Sequence, residues 1–461
     1  MTKRRSALAP TLKLRYNMQD FHNNSVISGN HMARNKYRPR IADKLLQTEL
    51  LSAGAVLVEG AKWCGKTRTA EQAAHSIVYM QDQDMADNYL QMAETMPSLL
   101  LEGEEPHLID EWQVAPNLWD AVRFAVDKRG GMGHFILTGS AVPPDDDDES
   151  KPKLKRRHTG TGRITRLRMR PMTLWESGDS NGMVSLGDLF AGKSVMPATC
   201  ELTIPDIARL VCRGGWPEAT FLSEQPALRI AHNYVKAIVE EDVQRVDGVE
   251  RNPERVMQLL KSLARNVSSV ATQQTIIDDM CANDCTASDK TVADYLNALR
   301  KIFVIEDTPA WAPALRSKTA IRSAAKRQFS DPSIPAAVLG ANPDGLLRDI
   351  VTLGFLFESM CCRDLRVYAQ AMDGKVSHFR DRHGLEIDLV VSLPDGRWGG
   401  VEVKLGSGRI DEAAQNLLKV AGRVDEIRTG KPSFLMVLTG ARFAFRRPDG
   451  VIVCPIGCLK P

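Results

Sequence analysis

A chain of 461 residues with 25% charged and 43% hydrophobic residues has room for about three domains and the composition of a globular protein. Wholesale disorder and a fibrous chain are excluded. The 60 Lys and Arg against 57 Asp and Glu leave a net charge of +3, which prescribes no nucleic-acid partner, so any such partner has to be read from local clusters.

No run approaches the roughly 18 apolar residues of a membrane span, and no apolar signal core follows the basic start, so the expected location is the cytoplasm. The nine cysteines are too sparse for a disulfide scaffold and are expected to be thiols. Cys281 with Cys285, and Cys454 with Cys458, lack a histidine at zinc-ligand spacing and read as small buried hydrophobes.

In chain order, residues 1–40 hold nine Lys or Arg against a single acid, Asp20, and read as a flexible basic tail, in which Met32 would serve equally well as a start. Residues 41–175 alternate short apolar runs, AVLVE, SIVYM, HLIDE, HFILTGS and ITRLRMR, with helix-like segments, the rhythm of a parallel sheet. The acidic then basic stretch PPDDDDESKPKLKRR is too polar to bury and is expected to be an exposed loop. Residues 176–250 read as a helical connector. Residues 251–328 give three helices and the short strand FVIED, the order of a winged helix-turn-helix. Residues 329–461 combine a helix with strands EIDLVVSL and GGVEVKL around a PDGRWG turn, an α/β arrangement.

The run AVLVEGAKWCGKTRTAEQAA is a strand, a loop of Gly60, Ala61, Lys62, Trp63, Cys64 and Gly65, and a helix opened by Lys66 and Thr67. Glycines permit a tight loop whose backbone N–H groups face an anion, the helix N-terminus adds positive potential, Lys66 reaches the outer phosphates and Thr67 offers a hydroxyl to Mg²⁺. The strand HLIDEW then ends in Asp110, suited to Mg²⁺ contact, and Glu111, suited to activating a water. FILTGS places Thr138 and Ser140 where a hydroxyl would sense the terminal phosphate. ATP and Mg²⁺ are therefore the expected cofactors.

These motifs, GAKWCGKT, LIDEWQ, ILTGS, and GTGRI followed by LRMRPMTLWE, resemble those of prokaryotic AAA-type ATPases. RGGWPEA, YVKAIVEEDV, KRQFSDPSI, and FRDRHGLEIDLVV with VEVKLG resemble their C-terminal region, called domain of unknown function 4143, so the similarity runs from residue 37 to 461. The resemblance implies a P-loop sheet followed by further α/β structure. It also keeps a Gly162–Arg163 pair, in which Arg163 is an arginine finger or a surface cation.

A second candidate site lies in the C-terminal strands. Glu386 and Asp388 share one face of a strand, thirteen residues follow, and Glu402 and Lys404 share one face of the next, with Val401 and Val403 toward the core. This is the arrangement of PD-(D/E)xK nucleases, in which Asp388, Glu402 and an upstream Glu358 would hold a second Mg²⁺ and Lys404 would act on the attacking water. Gln415 is a weaker candidate. Alternatively, Glu402 and Lys404 form an ion pair on an exposed strand.

In TASDKTVADYLNALRKI, Ser288 is the expected N-cap; Val292, Leu296 and Leu299 form a core stripe, and Lys290, Thr291 and Asn297 lie partly outward beside Asp289 and Asp294. Between Thr308 and Ser330 stand Arg316, Lys318, Arg322, Lys326 and Arg327 with no acid, a basic wing suited to DNA phosphates unless the module only packs. The expected function is thus an ATPase whose nucleotide state controls a DNA-directed, nuclease-like module. The alternative is a switch with an inactive nuclease-like domain that binds a protein partner. A homo-oligomer is compatible with both.

Overall fold

In the computed structural model the five apolar runs of the N-terminal part form strands β1 (Ala55–Glu59), β2 (Ser76–Tyr79), β3 (His107–Asp110), β4 (Phe135–Gly139) and β5 (Ile164–Arg168). They make one sheet in the order β2-β3-β4-β1-β5, and every pair is parallel. Ala55 to Val58 are all buried, because both faces of β1 are covered. That is why AVLVE is a continuous apolar run and not an alternating one. One face packs on helix α1 (Ile41–Leu50) through Leu46 and Leu50, while Ala55 and Leu57 join a separate cluster with Trp112, Trp119 and Leu137.

The structure describes residues 37–141, 160–246, 249–281, 288–313, 324–381 and 384–461. The basic tail up to residue 36, the acidic and basic stretch at 143–157, Cys285, Arg316, Lys318 and Arg322 lie outside the described residues. Arg40, assigned above to the tail, is buried instead and is the N-cap of α1. Residues Arg38–Pro461 form one compact unit. No helix among the described residues is long and apolar enough to cross a membrane.

The expected helical connector also contributes strands. β6 (Val184–Ser185) pairs in parallel with β14 (Leu459–Lys460), and β7 (Ala198–Thr199) forms one edge of the second sheet. Two-residue strands carry no periodicity, so the sequence pattern could not show them. The second sheet also contains β8 (Lys375–Arg380), β9 (Glu386–Ser392), β10 (Trp398–Lys404), β11 (Phe434–Thr439), β12 (Phe443–Arg446) and β13 (Ile452–Pro455). Its order is β7-β12-β13-β11-β10-β9-β8, antiparallel from β8 to β10 and parallel from β10 through β11 to β13.

Helices cover both faces of this sheet. The long helix Ile350–Gln370 shares a core with Leu389, Val391, Val401 and Val403, and the helix Ile410–Ala421 packs Ala413, Ala414 and Leu417 on Val390, Leu435 and Val437. β9 and β10 are consequently interior strands, and Asp388 and Glu402 are 7% and 3% exposed. The exposed strand considered in the sequence reading is not what forms.

After residue 250 come helices Pro253–Arg265, Gln273–Cys281 and Asp289–Lys301, the last capped by Ser288, whose Oγ accepts from Thr291 N at 3.2 Å. Two antiparallel bridges follow, Ile305 with Phe329 and Thr308 with Lys326.

Candidate nucleotide site and C-terminal carboxylate cluster

Because β4 lies between β1 and β3, the C-terminal ends of three parallel strands meet along one edge, the position where open α/β sheets bind ligands. The loop after β1 is tight for a steric reason. A Cβ on Gly60 would stand 2.1 Å from Met169 O, and Gly65 has φ +103°. Cys64 is buried with Sγ facing Met169 O at 3.7 Å, and Trp63, half exposed at φ +66°, sets its ring tilted against Tyr234 at 5.6 Å. Lys62 pairs with Asp242 at 3.1 Å. Lys66 is 4% exposed, and its ammonium donates to Ala61 O at 3.0 Å, so it lies inside the loop.

A residue the sequence reading missed braces this loop. Arg40 donates to Cys64 O at 2.9 Å and to Arg170 O at 2.8 Å, and pairs with buried Glu176 at 3.0 Å. Glu176 also closes a capping box with Thr173. No local motif marks the Arg40 guanidinium, since Cys64, Arg170 and Glu176 are distant in sequence.

Thr67, at the start of helix α2 (Lys66–Glu71), donates through Oγ1 to Asp110 Oδ1 at 2.7 Å, so two motifs far apart in sequence meet at the end of β3. Thr138 donates to the same oxygen at 2.6 Å and accepts from Glu111 N at 3.1 Å. Its hydroxyl thus ties together the two acids. Ser140 donates to Glu111 Oε2 at 3.1 Å, and Gln113, unmarked by the sequence reading, contacts both. Glu111 has φ +56°, a left-handed turn that takes it off the strand. Arg163 stands elsewhere, about half exposed and paired with Asp127 at 2.7 Å.

These residues fit a Mg²⁺-nucleotide. Gly60 leaves no room for a side chain beside Met169 O, which keeps the loop tight, and the Thr67 hydroxyl with the Asp110 carboxylate is the hard-oxygen set that Mg²⁺ takes.

The second cluster differs from expectation. Glu358, on the long helix, is joined to Asp388 by a lysine: Lys326 Nζ lies 2.7 Å from Glu358 Oε1 and 3.4 Å from Asp388 Oδ1. Lys404 Nζ lies 2.9 Å from Glu402 Oε2 and 3.5 Å from Asp388 Oδ2, which also accepts from Val403 N at 2.9 Å. On the helix Ile410–Ala421 the residue that reaches Glu402 is Asn416, while Gln415 faces solvent. Glu386 is half exposed beside Arg380.

Burial and the neighbouring Asp388 push Glu358 up to about 7 and Glu402 up to about 8. Burial would also raise Asp388, but Lys326 and Lys404 hold it down to about 2. Lys326 and Lys404 are in turn raised by these acids against the cost of burial. Among the described residues no group of three or more His, Cys, Asp or Glu stands placed to hold a metal ion. The acids do not fit a divalent ion as they stand, because an ammonium fills the space between Glu358 and Asp388.

The expected basic wing is also corrected within the described residues. Lys326 is 6% exposed in the carboxylate cluster, and Arg327 binds Asp307 at 2.9 Å and Ala271 O at 3.0 Å. Acids outside the segment neutralise both, which a count within the segment could not reveal.

Three family models match the chain: an AAA domain over residues 52–177, a domain of unknown function 8612 over 204–345, and a domain of unknown function 4143 over 353–459. No curated protein sequence matches. Among solved structures, the Walker-type ATPase PABY2304 of Pyrococcus abyssi is similar at a TM-score of 0.43 and 13% identity, covering 66% of this chain and 97% of that one. By its family models the chain carries an AAA domain followed, in its C-terminal part, by a domain of unknown function 4143.

Proposed function

We propose that the protein is a Mg²⁺-dependent ATP hydrolase of the cytoplasm whose nucleotide state controls its C-terminal half. The observation that carries the proposal is the meeting of Thr67 with Asp110 at 2.7 Å beside a loop that already encloses Lys66. In this reading the loop N–H groups and Lys66 bind the β- and γ-phosphates, and Thr67 and Asp110 hold the metal. Mg²⁺, when bound, supplies charge neutralisation on the outer phosphates. Glu111, positioned by Ser140, Gln113 and its left-handed turn, orients and deprotonates the attacking water.

Control of the C-terminal half is supported by contacts beyond β5. Arg170, whose carbonyl binds Arg40, makes two hydrogen bonds to Glu306, at 2.6 and 2.9 Å, and one to Gln370 on the long helix at 2.7 Å. Arg366 on that helix lies 3.8 Å from Glu306. The proposed target is DNA, read by a winged helix. Three helices with antiparallel bridges after them support it, as does the exposure of Lys290 and Asn297. The buried Lys326 favours a second reading, a switch whose nuclease-like domain does not cleave and binds a protein partner.

Titration with a fluorescent ATP analogue tests the first step: Lys66→Ala is expected to lose binding, and unchanged affinity would refute the phosphate-loop assignment. Glu111→Gln is expected to bind ATP and lose turnover by about 100-fold or more, because the amide is no base. Incubation of the purified protein with plasmid DNA, Mg²⁺ and ATP separates the two readings, nicking supporting the nuclease and intact plasmid the switch.

A further inference from the structure

Lys326 is held in place from both sides. Its backbone exchanges two hydrogen bonds with Thr308, Lys326 N to Thr308 O at 2.9 Å and Thr308 N to Lys326 O at 2.8 Å. Thr308 is fully buried, and its Oγ1 accepts from Arg366 at 2.8 Å. The next two residues are tied as well, Arg327 to Asp307 and Ala271 O, and Gln328 Nε2 to Ser268 Oγ at 3.0 Å. The backbone is thus fixed before the side chain reaches inward, and what the buried lysine still loses is its rotamer freedom, about 2 kcal/mol, which its two carboxylate contacts have to offset.

The ammonium sits where a shared metal ion would have to sit. It lies 2.7 Å from Glu358 and 3.4 Å from Asp388, with Lys404 closing the other side of Asp388 and pairing with Glu402. A Mg²⁺ or Mn²⁺ bridging these oxygens needs contacts of about 2.0–2.2 Å and cannot share that space with an ammonium group. Three carboxyl groups opposite two ammonium groups also leave little negative charge to draw in a divalent ion. By contrast, a buried pair of carboxylates without Lys326 would lack any counterion on the Glu358 side.

We propose that Lys326 is the resident cation of this cluster, so that Glu358, Asp388 and Glu402 form a latent divalent-metal site that is closed while its ammonium remains between the acids. The proposal rests on none of the phosphate-loop assignments. The cluster is the stored form of a metal site, and the segment carrying Lys326 is its stopper. Any event that withdraws this segment exposes an oxygen-rich site that prefers Mg²⁺ or Mn²⁺ over softer ions.

The test is Mn²⁺ uptake by the full chain without nucleotide, read from the loss of the free-Mn²⁺ electron paramagnetic resonance signal. Circular dichroism of each variant checks folding. Wild type is expected to take up no Mn²⁺ that depends on Asp388, so wild type and Asp388→Asn give the same curve. Lys326→Met, which keeps the chain length without the charge, is expected to gain about one Mn²⁺ per chain, and Lys326→Met with Asp388→Asn to lose it again. Wild-type uptake that Asp388→Asn removes would overturn the proposal. So would a folded Lys326→Met that takes up none. Should Lys326→Met not fold, Lys326→Gln replaces it, and the comparison of wild type with Asp388→Asn decides on its own whether the cluster is closed.

Discussion

Arg363 is one residue on which much of the fold converges. It is 2% exposed, pairs with Asp331 at 2.9 Å and with Asp364 at 2.7 Å, and these acids hold the backbone N–H groups of Gly215 at 2.9 Å and Leu174 at 3.0 Å. The motifs RGGWPEA, FSDPSI and MTLWE, which carry no catalytic group, thus meet at one guanidinium. Arg363→Met would leave two buried acids without a cation, and we expect a loss of about 3–5 kcal/mol, measured as a lower urea midpoint at unchanged slope. Glu402 makes a pH-dependent case. It is raised from 4.5 to about 8, so the folded protein holds a proton that the unfolded chain has released. The stabilisation from this proton is fully present below about pH 4.5 and is lost as pH rises through 8. Glu402→Gln should flatten the fall of stability between pH 5 and 8. Parallel curves for the variant and wild type would show that Glu402 titrates as it does in the unfolded chain.

At the level of elements, the first sheet was legible and the second only in part. β1 to β4 are runs of four or five largely apolar residues and β5 keeps Ile164 and Leu167, a local pattern that needs no knowledge of partners. The phosphate loop was legible for the same reason, its chemistry being contiguous. In the carboxylate cluster, sequence spacing found Asp388, Glu402, Lys404 and Glu358 but not Lys326, whose partners lie 32 and 62 residues away. Asn416 was missed by one position, about 100° around the helix from Gln415. The contact of β5 with the long helix was equally invisible. There Glu306 is held well below the usual carboxylate range, against its burial, by Arg170, Arg366 and Arg168. Glu306→Gln should leave these guanidinium groups without their acid and lower stability by about 2–3 kcal/mol, toward the low side for a buried pair because Glu306 retains some solvent contact. Chemical denaturation checks it, and a change within about 0.5 kcal/mol would mean that the bridge contributes nothing net.

Across the whole molecule one connected core runs from Leu46 on α1 through Leu353 on the long helix to Leu459 on β14. Because this cluster reaches residues from α1 to β14, beside two smaller clusters, heating is expected to give one calorimetric transition with equal calorimetric and van't Hoff enthalpies. Two separated peaks would show that the ATPase sheet melts by itself. Trp63 gives this architecture an optical consequence. It is 48% exposed on the lip of the phosphate loop, whereas Trp112, Trp119, Trp216, Trp311 and Trp398 are buried. An aqueous quencher such as iodide will therefore darken Trp63 in preference to those five, and a nucleotide seated against the loop will shield it, so unlabelled protein reports its own occupancy as light.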